Sequence, residues 1–414
     1  MFRLSRRCSR KSAAGFAVFL CAIIASGCRS GQSVTSHVEA PFPKQLSQWH
    51  LFTASSPALI PNQGVVPYDL NTPLFSDYAD KYRFVWMPPG TSAQYREDGP
   101  FDFPVGTVLA KTFAFPVDGR SAGRLIETRL LVNANAGWTP LPYIWDDKQE
   151  DATLQLVPDP VPVKWTSSSG KIHDFTYVIP NANECHQCHD NQKVLLPIGP
   201  KARNLNKDYA YRDGTENQLT RWVRVGYLKG LPAAEVRPKI PRWDDAGSGS
   251  VAERARAYLD NNCAHCHQPG GQAGYTGVDF RFSQTDLSHQ GLCKPPNSAG
   301  MVGGLRYDLV PGHPDESILI YRLESTAPKT SMPALGRDVV HEEGVKLLRE
   351  WIATLSGGCG EQKIAQIHPP TGSHPFDKLR AGFCAKNAQR WRTRRVSEPI
   401  GLRAEGSSPL LRTH

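Results

Sequence analysis

Methionine is scarce in this sequence, and a convincing membrane span is missing. Only 4 of the 414 residues are methionine. The apolar run from Ala13 to Ile24 falls short of the ~20 residues that a membrane helix needs. The chain instead holds 35 glycines and 34 prolines. Because both residues interrupt regular structure, the composition favours short strands and loops and argues against a long helical bundle.

A basic excess is also missing from the central part of the chain. The whole chain carries a formal charge of +9, of which +5 falls in residues 1–27 and +6 in residues 361–414, which leaves −2 for residues 28–360. A domain that binds nucleic acid normally carries a basic patch. Nucleic acid is therefore not an expected partner.

The N-terminus has the pattern of an export signal. Five basic residues precede the apolar run, and Ala25-Ser26-Gly27-Cys28 follows it. Small residues before a cysteine resemble the bacterial lipobox, which here predicts a signal peptide of residues 1–27 and a lipid on Cys28. The alternative is an ordinary cleaved signal and an unmodified cysteine. Both interpretations predict an extracytoplasmic protein. The residue after Cys28 is Arg29, and in this respect the chain resembles lipoproteins that are delivered to the outer membrane.

The mature chain is expected to begin with a tether and a β-rich domain. Residues 28–63 hold many Ser, Pro and Gln residues, which favours a linker. Residues 64–240 hold short runs of β-branched and aromatic residues between Gly, Pro, Asn and Asp. The runs expected to form strands are 83–86, 107–113, 125–132, 143–145 and 175–179. These short runs predict an antiparallel β domain.

Residues 241–360 are expected to form a small helical domain. Helices are predicted over 251–262, 317–323 and 342–355, and one more over 217–227 just before this domain. The side chains expected on one face of the last helix are Val345, Leu348, Ile352 and Leu355. The predicted fold class is therefore α+β, with an N-terminal antiparallel β domain followed by a small all-α domain.

The basic tail, residues 361–414, has no hydrophobic periodicity and is predicted to be disordered. Its segment 374–383 resembles the translation of a repeated bacterial DNA element. This resemblance indicates read-through beyond the natural stop, and we expect no function in the tail.

Four cysteines form two Cys-x-x-Cys-His motifs. The first is Cys185, Cys188 and His189, and the second is Cys263, Cys266 and His267. This is the attachment motif of c-type haem, because two intervening residues let both thiols reach the vinyl groups on one porphyrin edge. The adjoining histidine is then placed to ligate the iron. The sequence therefore predicts two covalently bound haem c groups, with the first site at the end of the β domain.

A zinc site is the alternative, because two Cys-x-x-Cys pairs with histidines nearby supply enough tetrahedral ligands. The pairs lie 78 residues apart in regions of different character, each is followed directly by histidine, and the chain is expected to be exported. These features favour haem. His186 and His265, inside the two motifs, are expected to be surface residues.

A methionine-proline loop lies downstream of the second motif. Met332-Pro333 comes 65 residues after His267, and the last predicted helix follows it. The order of helix, attachment loop, Met-Pro loop and helix resembles the class I cytochrome c domain. That resemblance implies Met332 as the sixth iron ligand, and thioether ligation raises the haem potential. The alternative role of Met332 is to fill a gap in the core.

The first motif has no such loop after it. Its sixth ligand position is expected to be open or to be filled by His173, Lys111 or another residue. The run 103–108 with Lys111, followed by strands and a late Cys-x-x-Cys-His motif, resembles β-sheet cytochromes with a lysine-crosslinked haem that oxidise hydroxylamine. A strand lysine that simply faces solvent is the alternative.

Residues 64–358 as a whole resemble a poorly characterised family of bacterial di-haem c-type cytochrome lipoproteins. The resemblance is carried by runs 66–78, 137–145 and 198–206 together with the Cys263 and Met332 motifs. It implies haem binding and electron transfer with redox partner proteins, and attachment to a membrane through Cys28. The alternative function is a peroxidase-like or oxidase-like haem enzyme, with an open first haem and the second haem as its electron relay.

Two further core cysteines, Cys293 and Cys359, lie in Gly- and Pro-rich turns. In an oxidising compartment we predict a disulfide between them. Closing a loop of that length would contribute about 4 kcal/mol in the chain-entropy model. Two free thiols are the alternative.

Overall fold

Short strands dominate the first part of the chain. In chain order they are β1 (Phe52–Ala54), β2 (Ile60–Pro61), β3 (Val66–Tyr68), β4 (Asp80–Trp86), β5 (Ala93–Gln94), β6 (Val108–Phe115), β7 (Arg124–Ala134), β8 (Gly137–Trp145), β9 (Ala152–Leu154), β10 (Asp159–Thr166), β11 (Ile172–Ile179), β12 (Asp190–Asn191), β13 (Val194–Leu195), β14 (Asp208–Tyr211), β15 (Gly214–Asn217) and β16 (Leu228–Lys229). Six of them form one antiparallel sheet in the order β3-β4-β6-β7-β8-β9. All five expected strand segments fall in or overlap these strands.

This computed structural model describes residues 32–54, 59–118, 123–155, 157, 159–167, 170–297 and 302–360. The predicted signal peptide, the lipidated Cys28, the start of the tether and the tail 361–414 lie outside the described residues. Contacts group the chain into two compact units, one ending at Gly358 and one beginning at Cys359. Only Cys359 and Gly360 of the second unit are described.

The six-stranded sheet is buried on both faces, which explains the nearly continuous apolar sequence of β6. Val108 and Ala110 face a core that also contains Trp49. Leu109, on the opposite face, packs in a second core with Trp222. Successive side chains of a strand point to opposite faces, so Lys111 lies on the same face as Leu109. A hairpin of β10 and β11 adds a further apolar cluster around Phe113 and Phe115.

Helices become prominent after the first Cys-x-x-Cys-His motif. They are α1 (Ala182–His189), α2 (Ala202–Leu205), α3 (Gln218–Arg224), α4 (Val251–Asn262), α5 (Ile318–Glu324) and α6 (Glu342–Thr354), with short 3-10 turns at Leu46–Trp49, Ala234–Val236, Ala246–Ser248, Gly274–Thr276 and Pro314–Glu316. The predicted mixed α+β class is confirmed: an antiparallel sheet region precedes a more helical C-terminal part. The domain boundary between residues 240 and 241 stays a prediction. No helix within the described ranges is long and apolar enough to span a bilayer.

The C-terminal helical region is built on the pair α4 and α6. Ser250 begins α4 as an N-cap, where its Oγ accepts the Glu253 backbone N–H at 3.2 Å and the Glu253 carboxylate accepts the Ser250 backbone N–H at 2.9 Å. Val345, Leu348 and Ile352 are buried in the core shared by the two helices. Three of the four residues predicted for that helix face are thus fully buried, and Leu355 packs at its edge.

A buried carboxylate joins the sheet region to the helical region. Asp77, between β3 and β4, is fully buried, and its Oδ1 accepts the backbone N–H groups of Asp338 at 2.7 Å and Val339 at 2.9 Å. Its Oδ2 is buried without a partner. Burial outweighs the two hydrogen bonds and raises the pKa of Asp77 to about 6. The protonated carboxyl therefore suits the folded state better than the carboxylate.

Asp77→Asn is expected to remove a loss of stability on going from acid to neutral pH. Because the folded-state pKa is raised, the free energy of unfolding is highest below the ordinary carboxyl pKa of about 3.9 and falls as pH rises through about 6. At about 1.4 kcal/mol per pH unit, the loss is on the order of 3 kcal/mol. Urea denaturation at several pH values between about 4 and 7 measures it. The exposed control Asp147→Asn should follow the wild type, and equal pH slopes in Asp77→Asn and the wild type would contradict the prediction.

Candidate functional site

The first Cys-x-x-Cys-His motif is carried by α1, which begins directly after β11 and packs against β8. Asn181 caps this helix: its side chain accepts the Glu184 backbone N–H at 3.0 Å, and its own N–H is accepted by the Glu184 carboxylate at 2.9 Å. Cys185 and Cys188 are three residues apart, so they share a helix face. The local sequence thus presents both thiols on one side of a capped turn.

His189 is oriented by its backbone surroundings. Its Nδ1 lies 2.8 Å from the carbonyl oxygen of Leu196, which fits a ring that is protonated at Nδ1 and keeps the Nε2 lone pair free. Burial lowers the pKa of His189 to about 4. A neutral imidazole whose second nitrogen donates to a carbonyl is the usual state of a histidine metal ligand.

The second motif follows α4 in a tight turn. The backbone N–H groups of Cys266 and His267 donate to the Cys263 carbonyl at 3.1 and 2.9 Å. Burial raises the pKa of Cys263 to about 12 and lowers the pKa of His267 to about 4. Phe280 packs edge-on against the His267 ring, with the ring centroids 5.6 Å apart. His267 is therefore held as a neutral ring in an apolar surrounding.

A cavity of about 340 Å³ connects the second motif to the predicted sixth ligand. Cys263, Cys266, His267 and Met332 all line it. The apolar residues that complete its wall include Val278, Phe280, Leu309, Ile318, Leu319, Leu323, Pro333 and Leu335. Mostly apolar walls with a few placed polar groups are typical of cofactor sites. The donors and the walls fit a haem that is attached to two thiols and ligated by a histidine and a thioether.

The Met332 loop is fixed to α5 by hydrogen bonds. The Met332 backbone N–H donates to the Arg322 carbonyl at 3.1 Å, and Arg322 Nε donates to the Thr330 carbonyl at 2.9 Å. Arg337, on the other side of the loop, donates to the Leu323 carbonyl at 2.7 Å. These contacts with α5 thus hold Met332 at the cavity.

The two motifs meet, which the sequence did not predict. The ligand atoms of Cys188, His265 and Cys266 lie within 4.8 Å of one another. Cys266 Sγ also lies 3.4 Å from the Gln187 carbonyl oxygen. The hydrogen bond with the Cys266 thiol is the main cause that lowers the pKa of Cys188, and a hydrogen bond with His265 lowers it further. The contact between the two thiols raises the pKa of Cys266. These three side chains could hold a metal ion.

The expectation that His265 is a surface residue is wrong. His265 is only 8% exposed, because the second motif turns this side chain toward Cys188 of the first. His186, at the equivalent place in the first motif, is exposed as expected. The burial of His265 depends on packing between segments 78 residues apart, and no local pattern signals it.

The two candidates for the sixth position of the first site have different surroundings. His173 is buried in β11, with its ring stacked on Trp165 at 4.2 Å and tilted against Tyr78 at 5.1 Å. These ring contacts fit a core histidine. Lys111 lies in β6, directly opposite Arg83 of β4 and Arg129 of β7. Its charge is a minor addition to the burial that lowers the pKa of His189.

The cysteines fall into two classes. Cys185, Cys188, Cys263 and Cys266 are free thiols. Cys293 and Cys359 each take part in a disulfide bond, so the alternative of two free thiols is wrong. Their pairing with each other stays a prediction.

Comparison with known proteins found no match for this chain. No protein-family model matches the chain, and neither does any curated protein or solved structure that was searched. The features of the chain that bear on its function are therefore the two motifs, the cavity and the side chains around them.

Proposed function

We propose that the chain is an extracytoplasmic di-haem c-type cytochrome that transfers electrons. The observation that carries the proposal is the cavity lined by Cys263, Cys266, His267 and Met332. Two thiols, a neutral imidazole and a thioether from separate parts of the chain converge there. The two thiols would attach the haem covalently, and the imidazole and the thioether would ligate its iron.

The chain's own residues account for a carrier function at the second site. His267 and Met332 would occupy both axial positions, which leaves no open position for a substrate. The bound haem would supply an iron that alternates between ferric and ferrous states. Apolar residues such as Phe280 and Leu309 form much of the cavity wall. Low solvent exposure and a thioether ligand are both means by which proteins set the haem potential.

The arrangement of helices supports the resemblance to class I cytochrome c. In that class the helix before the attachment motif packs on the last helix, and the methionine loop lies between them in sequence. Here α4 packs on α6, and the Met332 loop connects α5 to α6. The short distance between Cys188 and Cys266 supports exchange of electrons between the two sites within the chain.

A lipid anchor on Cys28 would place this carrier at a membrane, with the outer membrane favoured by Arg29. The electron donor and acceptor would be other redox proteins. The near-neutral charge of residues 28–360 favours protein partners over nucleic acid.

A haem enzyme is the second candidate function. The helix that carries the first motif, α1, packs against β8, which is paired with the strand of Arg129. The basic side chains of Lys111 and Arg129 are directly opposite each other in this sheet. An open sixth position there would let a ligand bind close to these cations. The second site would then relay electrons to or from the first.

A structural zinc protein is the third candidate, and the contact of Cys188, His265 and Cys266 favours it. Zinc takes thiolate and imidazole ligands in tetrahedral geometry. This group provides three ligand side chains within the described residues. Haem attachment at both motifs would commit Cys188 and Cys266 to thioether bonds, so the two proposals exclude each other.

The purified protein, exported in a host that attaches haem c, is expected to contain two covalent haems per chain, one for each motif. A pyridine haemochrome assay with protein quantification measures this ratio, and metal analysis of the same sample measures zinc. Carbon monoxide added to the reduced protein tests for an open iron. Stoichiometric zinc without covalent haem would overturn the proposed function.

A further inference from the structure

Three cations face one another across the central sheet. Arg83 of β4 is directly opposite Lys111 of β6, and Lys111 is directly opposite Arg129 of β7. Directly paired residues of antiparallel strands lie on the same face of the sheet, where like charges repel. This cation row therefore weakens the fold unless an anion offsets it.

Among the described residues, carboxylates form direct ion pairs only with the two arginines at the ends of the row. Arg83 donates to Asp69 at 2.9 Å, but Lys207 shares that carboxylate at 2.9 Å. Arg129 forms a two-point contact with the buried Glu127, including Nε to Oε2 at 2.8 Å. Each of these arginines already has its acid.

The centre of the row is not offset in this way. Within the described ranges, Lys111 Nζ has neither a carboxylate nor a hydrogen-bond acceptor; its recorded contact is the Phe113 ring, 4.6 Å away. The Arg83 side chain is 4% exposed, and its Nη2 is buried without a partner. A buried donor without a partner is unfavourable, because it has lost its hydrogen bonds to water and gained no other acceptor. The unused donors of Arg83 and Lys111 are therefore suited to an anion that the chain itself does not supply.

The cation row lies next to the first Cys-x-x-Cys-His motif. The charge of Arg129 acts on Cys185, whose pKa is raised mainly by burial. Arg129 Nη2 also donates to the Tyr177 hydroxyl of β11 at 3.2 Å, and α1 follows β11 directly and packs against β8, the sheet neighbour of β7. An anion on the row would thus sit beside whatever the first motif holds.

We propose that Arg83, Lys111 and Arg129 form a binding site for a carboxylate group beside the first motif. Guanidinium and ammonium groups bind carboxylates through charge-assisted hydrogen bonds. The site has two possible sources of this group. One is the propionate side chains of a haem attached at Cys185 and Cys188, and in this form the inference rests on the proposed function. The other is a small carboxylate from solution.

Lys111→Gln is the test variant, because Lys111 is the member of the row that has no carboxylate within hydrogen-bonding distance among the described residues. Burial, and then the neighbouring Arg83, hold the pKa of Lys111 well below its usual range, so an anion bound on the row would restore the charge that this variant removes. Lys111→Arg restores the charge. Lys164→Gln is the matched control, since Lys164 is an exposed strand lysine paired with Asp174 at 2.9 Å. Haem is counted in every variant, the lower redox wave is recorded, and sodium acetate is titrated at constant ionic strength.

With propionate on the site, Lys111→Gln should shift the lower wave to lower potential, because a nearby positive charge favours the ferrous form. Lys111→Arg should restore it, and acetate should have no effect on the wild type. With a solution carboxylate on the site, acetate should shift the lower wave of the wild type in a saturable way. Lys111→Gln should then weaken acetate binding by about tenfold or more, as expected for the loss of a charged hydrogen bond.

If Lys111→Gln behaves like Lys164→Gln in both measurements while two haems are present, the carboxylate site is overturned and the di-haem proposal stands. If no haem is found, the di-haem proposal fails by itself. Acetate-dependent thermal stability, compared between wild type and Lys111→Gln, then still tests the site. Equal acetate responses in that comparison would overturn it.

Discussion

His267→Ala is expected to lower the haem count from two to one, whereas His265→Ala should leave both haems in place. His267 lines the cavity with Cys263, Cys266 and Met332, so its loss would remove the iron ligand that we propose for the second haem. His265 lies two residues earlier and also lines the cavity, where its ring lies beside Cys188 and Cys266. Haem stoichiometry by pyridine haemochrome, with zinc measured in the same samples, gives the comparison.

The same pair of variants has the opposite outcome if the chain is a zinc protein. His265→Ala would then remove one of three clustered ligands and lower the zinc content, and His267→Ala would have little effect. Cys188→Ala and Cys266→Ala do not separate the two cases, because both models use these thiols. His313→Ala, with a side chain that is 63% exposed, serves as the control and should change neither haem nor zinc.

Much of the fold could be predicted because the signals are local. In β6, Val108 and Ala110 face one core and Leu109 faces the other. A strand that is buried on both faces needs apolar residues at successive positions, and such an apolar run is recognisable in the sequence. The helix 251–262 was predicted with its observed bounds. Its N-cap, Ser250 with Glu253, is a local pattern of the same kind.

The contact between the two motifs could not be predicted in the same way. Their separation in the sequence, and the different character of the regions around them, argued for two independent sites. In the structure the backbone N–H of Gln192 donates to the Gly270 carbonyl at 3.0 Å, and Cys188 reaches Cys266. This nearness results from how the sheet region packs on the helical region, a property of many residues and of no short pattern.

Buried charges were also beyond local patterns. Asp77 and Lys111 each stand in stretches where a polar residue normally faces solvent. Asp77 is fully buried because two backbone N–H groups of the loop before α6 reach its carboxylate. Strand alternation places Lys111 on the same sheet face as Leu109, directly opposite Arg83 and Arg129. Periodicity alone gives the face of a strand residue, but it does not say what covers that face.

Met332→His is expected to lower the potential of the higher redox wave and to leave the lower wave unchanged. Met332 and His267 line the same cavity, and a thioether stabilises ferrous iron relative to a second imidazole. The sulfur-to-iron charge-transfer absorption of the oxidised protein should disappear as well. Redox titration followed by optical spectra measures both effects in one experiment.

Met87→Leu is the matched control for this variant. Met87 is 1% exposed and packs in the sheet core around Trp222, so its replacement alters packing without altering a proposed ligand. Both redox waves should keep their potentials in Met87→Leu. If Met332→His also leaves both waves and the charge-transfer band unchanged, methionine ligation is wrong.

The same variant separates the carrier from the enzyme. A carrier that works through the second site would lose driving force together with its upper potential, because Met332 acts only there. An enzyme that reacts at the first site would still bind carbon monoxide at that site in the reduced Met332→His protein, and would lose only turnover that needs the relay. Carbon monoxide binding in both wild type and variant would favour the enzyme, since a site with both axial positions filled gives no such response.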